Sequence, residues 1–287
     1  MRGMVRNLEK SQAASSTPIE WIRGDALVLD DVMRAADGVS VIVHAVNPPG
    51  YQNWDKLVMP MLENSIAAAR SVGGARLVLQ GTIYNFDAAS HGVIDEMTEQ
   101  DGNSRKGRIR VEMERALRAV SAEVPVLILR AGDFFGPGAG SSWFSQAMVA
   151  RGKRLKRIVN PAIRAGHSWA YLPDLGEAFA MLLDREAELL PFEVVHFEGI
   201  YDDTGLVMTG GIRQAVGRKL PVWSMPWWLF RLLAPFGGFP REVAEIIPHW
   251  KYPLRLDNHR LLTLLGAEPR TEPFDAIRAA LSDLGCS

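Results

Sequence analysis

Residues 39–46 (VSVIVHAV) form the stretch that decides the fold. This run is almost entirely apolar, as a parallel strand buried on both faces requires. Similar runs follow at residues 76–80 (RLVLQ) and 124–130 (VPVLILR), and a helical pattern separates each run from the one before it. Strands that alternate with helices predict an α/β fold with a Rossmann-like, doubly wound parallel sheet.

The alternation continues on both sides of these runs. Residues 21–25 predict a strand that ends in a turn, and residues 192–197 (FEVVHF) predict a late strand. The clearest helical patterns lie at residues 54–72, 111–120 and 174–183. From about residue 200 the chain is rich in Trp, Pro and Arg and lacks clean alternation, which favours a C-terminal, mostly helical substrate cap. We therefore predict a core at residues 1–136, continued by about 165–200, and a cap at 137–287 interleaved with it.

The first residues raise a question about the centre of the sheet. Residues 1–7 (MRGMVRN) predict a short strand that ends in a basic residue, and no Gly-rich strand-to-helix turn precedes it. In the strand order 3-2-1-4-5-6 the first strand lies at the centre, so its loss exposes two strand edges. We expect that Met1 is not the true start and that the chain begins roughly 25 to 30 residues upstream. A repair of the sheet by other means is the alternative.

Composition and charge limit the class of protein. The 287 residues are 47% hydrophobic and 23% charged, as in soluble globular proteins. A formal net charge of −1 provides no overall attraction to nucleic acid or to a membrane, so we expect neither partner. The single cysteine, Cys286, excludes an internal disulfide and favours a reducing, cytoplasmic location. The most apolar run, residues 223–236 (WSMPWWLFRLLAPF), is too short to span a bilayer and is interrupted by Pro226 and Arg231.

An ordered set of short motifs carries a family resemblance. In chain order they are Val5-Arg6-Asn7, Gly24-Asp25, Val43-His44-Ala45, Gly81-Thr82-Ile83-Tyr84 and Leu129-Arg130 through Phe135-Gly136-Pro137. Their order and spacing resemble those of extended short-chain dehydrogenase/reductases, which include the NAD-dependent epimerases and dehydratases of nucleotide sugars. Residues 167–174 (HSWAYLPD) are similar to the Tyr-Val-x-Asp segment of that family. The resemblance covers about residues 2–200 well and the remainder loosely.

The resemblance implies a nicotinamide cofactor. Arg6 stands where the family contacts the adenosine ribose, and a guanidinium there suits a 2′-phosphate, which favours NADP(H) over NAD(H). A solvated arginine is the other interpretation. Asp25 corresponds to the adenine-contacting aspartate and could equally be a turn residue that accepts backbone N–H bonds.

Further cofactor contacts are implied at the carboxyl ends of the strands. The short side chains of Ala45 and Val46 would let a ribose approach closely, whereas His44 is expected to be a packed histidine. The residues implied for cofactor binding are Arg6, Asp25, Ala45, Val46, Gln80, Arg110, Gly132 and Asp133. The Gly-rich turn that holds the pyrophosphate is missing from this set, so cofactor binding by this chain is an open question.

The catalytic set departs from the family pattern. The family acid is a Tyr followed four residues later by a Lys, and here those positions are Lys106 and Arg110. Gln80 stands at the family's Ser/Thr position. The usual mechanism therefore does not carry over, and Thr82 and Tyr84 are the nearby hydroxyls left for proton chemistry.

Lys106 is the third catalytic candidate. A lysine that loses its proton among neighbouring cations could act as a base. We predict that any catalysis uses Thr82, Tyr84 or Lys106, and we expect no metal site.

Two further segments contribute to the interpretation. Residues 136–142 (GPGAGSS) resemble a phosphate loop but lack its Gly-Lys-Ser/Thr ending. Residues 151–157 (RGKRLKR) form a basic run, which favours a solvated helix end or a contact to an anionic substrate. In the cap, aromatic walls are expected for the substrate cavity. The candidates are Trp143, Trp169, Trp250 and Tyr252.

These observations favour an atypical NAD(P)-dependent oxidoreductase or epimerase/dehydratase-like protein. Its substrate would be a small carbonyl compound, an alcohol or a sugar nucleotide. The alternative is a non-catalytic NADP(H)-binding regulator or sensor of the same fold, and a third possibility is a non-functional product of a wrongly chosen start. A homodimer is an open expectation, and the substrate itself is not identified by the sequence.

Overall fold

A computed structural model describes residues 1–14, 19–48, 53–162 and 165–286. Its first seven strands are β1 (Arg2–Val5), β2 (Glu20–Arg23), β3 (Val41–His44), β4 (Arg76–Gly81), β5 (Val93–Ile94), β6 (Val126–Ala131) and β7 (Asp133–Phe135). The later strands are β8 (Ile158–Asn160), β9 (His167–Tyr171), β10 (Phe192–Phe197), β11 (Ile200–Asp202), β12 (Val222–Ser224) and β13 (Arg255–Leu256).

The helices lie between these strands and dominate the last third of the chain. The first five are α1 (Leu8–Ala14), α2 (Leu29–Ala36), α3 (Trp54–Ser71), α4 (Arg105–Val120) and α5 (Leu172–Asp184). The others are α6 (Leu206–Val216), α7 (Trp227–Leu233), α8 (Gly238–Ala244), α9 (Ile247–Lys251), α10 (His259–Leu265) and α11 (Pro273–Asp283). The predicted α/β class, with a mostly helical C-terminal region, is confirmed.

The chain forms two compact units. Unit 1 comprises Met1–Gln80, Ile109–Ile128 and Leu190–Glu193, and unit 2 comprises Gly81–Arg108, Leu129–Leu189 and Val194–Ser287. These bounds describe packing. The functional division into a core at residues 1–136, continued by 165–200, and a cap at 137–287 stays a prediction.

Parallel pairing in unit 1 matches the expected doubly wound arrangement. β3 pairs with β4 in parallel, with His44 opposite Leu79. β1 pairs with β2, also in parallel, with Val5 opposite Arg23. The main sheet has the strand order β10-β6-β4-β3, while β1 and β2 form a sheet of their own. Non-consecutive neighbours and parallel pairs require crossover connections, which the helices supply.

The β1–β2 sheet is separate from the main sheet, and this break falls where the sequence analysis expected a central strand. β3 is the last strand of the main sheet, and its Val43 side chain is 57% exposed. The expectation that residues 39–46 are buried on both faces is therefore wrong at Val43, because in the described part of the chain β3 pairs with β4 on one side only. Apolar packing joins the two sheets instead. Met4 of β1 and Ile42 of β3 pack against a cluster formed by Val32, Ala36 and Ala68.

Several predicted elements agree closely with the structure, and one helix is longer than predicted. The patterns at residues 54–72 and 192–197 correspond to α3 and β10. α4 begins at Arg105, ahead of the predicted residue 111, because the Ser104 hydroxyl accepts the Gly107 N–H at 2.9 Å. This bond caps the helix N-terminus.

Unit 2 combines small sheets with the C-terminal helices. β7, β9 and β11 form a three-stranded sheet, while β8 pairs with β12 and β5 with β13, both in parallel. α6 and α11 pack on a core that includes Phe135, Trp169 and Trp250. In the described residues, no helix is long and apolar enough to cross a membrane.

Candidate functional site

A cleft of about 560 Å³ lies in unit 1, at the carboxyl ends of β1 and β2. It is lined by Arg6, Arg23, Gly24, Asp25, Asp31 and Arg34. The carboxyl ends of parallel strands are where open α/β sheets bind ligands. Three guanidinium groups face two carboxylates here, so one positive charge is in excess and an anion is the suitable ligand.

Hydrogen bonds within the cleft show which cations are already neutralised. Arg34 donates to Asp31 Oδ1 at 2.7 Å and to the Arg23 carbonyl oxygen at 3.1 Å. Asp31 Oδ2 accepts the Asp25 N–H at 2.9 Å. This backbone bond and then the Arg34 bond lower the pKa of Asp31, so its carboxylate stays ionised. Asp31 thus balances Arg34, and Arg6 and Arg23 supply the excess positive charge.

Asp25 performs the turn role that was one of its two interpretations. Its Oδ1 atom accepts the Leu27 N–H at 3.0 Å, a bond of the Asx-turn type. Because Asp25 also lines the cleft, its contact to adenine stays a prediction.

His44 is the packed histidine that the sequence indicates. Its Nδ1 atom lies 2.8 Å from the Ser65 hydroxyl, which donates to the Met61 carbonyl oxygen at 3.2 Å. The Ser65 oxygen must therefore accept from His44, so the proton lies on Nδ1. Burial and then the Arg110 charge lower the pKa of His44 to about 4, and the ring is neutral at pH 7.

The other cofactor candidates of unit 1 have different surroundings. Ala45 and Val46 are exposed beyond the end of β3, and Gln80 is half-buried near the end of β4. The Arg110 guanidinium lies 4.9 Å from the centre of the Trp54 ring, a cation–π contact. Arg110 also donates to the Met113 sulfur at 3.6 Å. The roles of Ala45, Val46, Gln80 and Arg110 in cofactor binding stay predictions.

In unit 2, the predicted hydroxyls Thr82 and Tyr84 lie in the turn that follows β4. The buried Tyr84 ring meets the edge of His249, with 5.1 Å between ring centres, and Thr82 Oγ1 accepts the Tyr84 N–H at 3.4 Å. Gly107 of α4 packs against the Tyr84 backbone, since a Cβ on Gly107 would lie 2.5 Å from the Tyr84 carbonyl oxygen. This close approach fixes the turn against the start of α4.

Lys106 is fully buried and bound to carboxylates. Its Nζ atom lies 2.5 Å from Glu242 Oε2, 3.1 Å from the Glu242 carbonyl oxygen and 3.3 Å from Glu245 Oε2. Three acceptors match the three protons of an ammonium group. Desolvation opposes ionisation of Glu242, but the bonds from Lys106 and Arg105 outweigh it and lower the pKa of that carboxyl. The surroundings of Lys106 therefore favour a structural ion pair, and its catalytic role stays a prediction.

A part-buried histidine–aspartate pair, His167 and Asp133, lies between β7 and β9, and the sequence analysis named Asp133 as a cofactor residue without predicting this pairing. His167 Nε2 lies 2.8 Å from Asp133 Oδ2, and its Nδ1 lies 3.2 Å from the His249 carbonyl oxygen. Both ring nitrogens therefore lie against acceptor oxygens, which hold the imidazole in place from two sides. The His167 ring stacks on Trp250, with 3.9 Å between ring centres. Asp133 begins β7 and His167 begins β9, and their proximity could be inferred only once the parallel pairing of the two strands, with Asp133 opposite Trp169, was known.

The two cofactor candidates in this region have packing roles. A Cβ at Gly132 would lie 2.1 Å from the Ser168 carbonyl oxygen, so only glycine permits this approach of β9. Asp133 is held by His167. The implied contacts of Gly132 and Asp133 to a cofactor stay predictions.

The structure brings together three of the four predicted substrate residues. Trp143 and Trp169 lie 5.3 Å and 5.7 Å from Trp250, measured between ring centres, and Trp227 lies 5.7 Å from Trp143. Trp250 also lines a unit 2 cavity of about 460 Å³. The cavity is lined by Asn160, Pro161, Ser224, Met225, Trp227, Arg231, Ile247, Trp250 and Lys251. Within the described residues, Tyr252 is not part of that lining and contacts the Lys251 ammonium instead.

Comparisons with known proteins agree with this architecture. No model of a known protein family matches the chain, and no curated protein matches its sequence. Solved structures do match. The UDP-glucose 4-epimerase of Bifidobacterium longum, in complex with NAD+ and UDP, is 13% identical with a TM-score of 0.70, over 96% of this chain and 85% of that one.

Two further matches come from other bacteria. The UDP-glucuronic acid 4-epimerase of Bacillus cereus, in complex with NAD, is 16% identical with a TM-score of 0.71, over 96% of this chain and 83% of that one. RMD of Pseudomonas aeruginosa, complexed with NADPH, is 16% identical with a TM-score of 0.66, over 97% and 94%. The chain shares the fold of these three proteins. The fold predicted from the resemblance to extended short-chain dehydrogenase/reductases is thereby confirmed.

Proposed function

We propose that this protein binds NADP(H) at the unit 1 cleft. We further propose that it acts as an atypical NAD(P)-dependent oxidoreductase or epimerase/dehydratase. The observation that carries the proposal is the pair of cations, Arg6 and Arg23, at the carboxyl ends of β1 and β2. Guanidinium groups bind phosphates through short, charge-assisted hydrogen bonds, and a 2′-phosphate is what distinguishes NADP(H) from NAD(H).

The residues present fit the adenosine end of such a cofactor. Arg6 and Arg23 would hold the 2′-phosphate, Asp25 the adenine, and Ala45 and Val46 a ribose. The sequence contains neither Gly-x-Gly-x-x-Gly nor Gly-x-x-Gly-x-x-Gly, so we assign no residue to the pyrophosphate. When bound, a nicotinamide cofactor supplies hydride chemistry, and the protein supplies binding, orientation and protons.

The unit 2 cavity supports a sugar nucleotide as the first substrate class to test. Its lining combines the aromatic rings of Trp227 and Trp250 with the cations Arg231 and Lys251. A base can stack on an indole ring, and a diphosphate can bind the cations. A simple aldehyde or alcohol would use neither feature. A small carbonyl compound or alcohol therefore remains the second class within this proposal.

Tyr84 and Thr82 are the residues that we propose for proton transfer. A phenol can donate a proton to a developing alkoxide, whereas the Lys106 ammonium already gives its three protons to carboxylate and carbonyl oxygens. We propose Tyr84 as the acid and Thr82 as a hydrogen-bond donor to the same substrate oxygen.

The ammonium group of Lys106 already has three hydrogen-bond acceptors, which also favours a second candidate function. Without the usual Tyr-Lys pair, the same fold could bind NADP(H) without turnover and act as a redox-responsive regulator. The two functions differ in one assay. Purified protein is incubated with NADPH and a panel of sugar nucleotides, aldehydes and ketones, while absorbance at the nicotinamide band and product composition are followed.

The enzyme proposal expects consumption of NADPH, or cofactor-dependent epimerisation, with at least one substrate class. Binding of NADPH without turnover of any class would favour the regulator. Absence of NADPH binding would contradict both functions.

A further inference from the structure

The polypeptide around α7 presents large apolar side chains to solvent. Trp228 is 68% exposed, Leu232 is 62% exposed and Phe236 is 85% exposed. Leu229, Leu233 and Phe239 are also exposed. We call these six residues the apolar tip. Exposed apolar clusters of this kind mark interaction surfaces.

Four residues of the apolar tip, Trp228, Leu229, Leu232 and Leu233, lie on α7, and other residues of this helix are packed against the protein. Trp227 contacts the rings of Trp143 and Trp250, and Phe230 lies 5.9 Å from Trp227 between ring centres. Trp228 and Leu232, four residues apart, occupy the opposite side. α7 therefore carries apolar residues on both faces. Packing inside the protein explains those on the inner face but not those on the outer face.

Two long segments of the chain carry cations and no anions, although the chain as a whole has a net charge of −1. Residues 134–173 and 204–241 contain no Asp or Glu. The cations of these segments are Arg151, Lys153, Arg154, Lys156, Arg157, Arg164, Arg213, Arg218, Lys219, Arg231 and Arg241. The basic run at 151–157 is not a helix end, as the sequence favoured, but an exposed irregular segment anchored by the buried Leu155.

Strand pairing ties the basic run to the apolar tip. The run leads into β8, which pairs with β12 so that Val159 is opposite Trp223. The Arg157 guanidinium lies 4.4 Å from the centre of the exposed Trp223 ring. Two residues separate β12 from α7, and Trp227 Nε1 of α7 donates to the Pro161 carbonyl oxygen beyond β8 at 3.0 Å. The cations and the apolar tip therefore flank the same strand pair.

The net charge of the whole chain gave no reason to expect a membrane partner, but from these local features we infer that the apolar tip and the basic run bind the surface of an anionic phospholipid bilayer. Trp, Phe and Leu insert at the boundary between headgroups and acyl chains, and Lys and Arg bind the lipid phosphates. Phe236 follows Pro235 and precedes two glycines in the turn after α7, and it is 85% exposed to solvent. A symmetric contact between two copies would bring like cations such as Arg231 together, which opposes self-association.

Vesicle sedimentation with the full chain tests this inference. We compare vesicles of phosphatidylcholine with vesicles of phosphatidylcholine and phosphatidylglycerol in equal parts. We expect a partition coefficient that is at least about tenfold higher on the anionic vesicles. Raising the ionic strength to about 1 M should remove most of that difference, because salt screens surface charges.

Three variants separate the two parts of the surface. The triple change Trp228→Ser, Leu232→Ser and Phe236→Ser should abolish binding, while Met97→Ser, an exposed apolar control at 89%, should leave it unchanged. The triple change Lys153→Gln, Arg154→Gln and Lys156→Gln should lower the partition on the order of 100-fold. The six positions changed in the two triple variants are exposed, so the thermal melts of these variants should match that of the wild type.

Three results would overturn the inference. The first is equal sedimentation of the wild type with neutral and anionic vesicles, and the second is equal sedimentation of the wild type and the apolar-tip variant. The third is light scattering that shows a wild-type dimer and a monomeric apolar-tip variant, with no vesicle binding, which would assign the apolar tip to self-association.

Discussion

Asp133 and His167 form a part-buried pair, with 2.8 Å between Oδ2 and Nε2, that joins β7 to β9 in parallel register. The His249 carbonyl oxygen accepts from the other ring nitrogen, and Trp250 covers the ring face. The pair thus links the strand sheet of unit 2 to the Trp250 wall of the 460 Å³ cavity. The His167 ring positions this wall, because it contacts Asp133 and stacks on Trp250.

Replacing the carboxylate of this pair should destabilise the fold. Asp133→Asn replaces the carboxylate that contacts His167 Nε2, and we expect the free energy of unfolding to fall by about 1–3 kcal/mol. Urea denaturation provides the measurement. The control is Asp275→Asn, which breaks an exposed 2.9 Å pair with Arg278 and should cost no more than about 0.5 kcal/mol. Equal losses in the two variants would show that the part-buried pair adds no stability.

Stability should fall as the pH is lowered from about 6.5 to 5. Burial, and then the charge of a nearby arginine, lowers the pKa of His44 to about 4 and the pKa of His196 to about 3. The unfolded chain therefore binds more protons than the native one in this window, so stability rises with pH. Each such histidine contributes up to about 1.4 kcal/mol per pH unit.

The measurement is the slope of unfolding free energy against pH. His196→Gln, which keeps an acceptor for the 3.0 Å contact with Arg130, should reduce the slope by about one proton. The exposed His259→Gln is the control and should leave the slope unchanged. If His196→Gln has the wild-type slope, His196 is protonated in the folded protein, contrary to this account.

Lys106 should matter for stability more than for chemistry. Lys106→Met removes the buried cation of Glu242 and Glu245, which keep only the partly exposed Arg105, and we expect a loss of about 1.5–3 kcal/mol. The double change Lys106→Met with Glu242→Gln should recover part of that loss. A variant that folds with wild-type stability but has no turnover would instead identify Lys106 as catalytic.

The proposed acid can be tested with two tyrosines that are equally buried. Tyr84→Phe should lower kcat by about 10²- to 10⁴-fold, because general acid catalysis contributes on that scale. Tyr171 is as buried as Tyr84 and packs against Phe135, so Tyr171→Phe controls for the loss of a buried hydroxyl. Comparable rates for Tyr84→Phe and Tyr171→Phe would exclude Tyr84 as the acid.

The sequence predicted the fold because its signals were strong and local. The apolar run at 76–80 and the long pattern at 54–72 have the periods of β4 and α3, and both elements formed as predicted. The exposure of Val43 was missed, because burial of β3 depends on a neighbouring strand and not on the strand's own residues. The start of α4 was not predicted, because it is defined by one hydrogen bond to the Ser104 hydroxyl and no apolar periodicity marks it in the sequence.

The site was predictable only where it followed strand ends. Arg6 and Asp25 were identified from their position after β1 and β2, and both line the cleft. The His167–Asp133 pair depends on the register between β7 and β9, which brings together residues 34 positions apart. The partners of Lys106 come from α8 and from Glu245, about 140 positions away, and no local pattern indicates such a contact.

The measurement that tests the proposed cofactor most directly uses fragments of its adenosine end. Calorimetry compares adenosine 2′,5′-bisphosphate with adenosine 5′-monophosphate, so the result does not depend on how a pyrophosphate is held. We predict that the bisphosphate binds at least about tenfold more tightly, since a charge-assisted phosphate contact contributes about 1.5–3 kcal/mol. Arg6→Gln should remove most of that preference, and Arg115→Gln, at an exposed position of α4, should not. Equal affinities for the two nucleotides, or a preference that survives Arg6→Gln, would contradict NADP(H) recognition at this cleft.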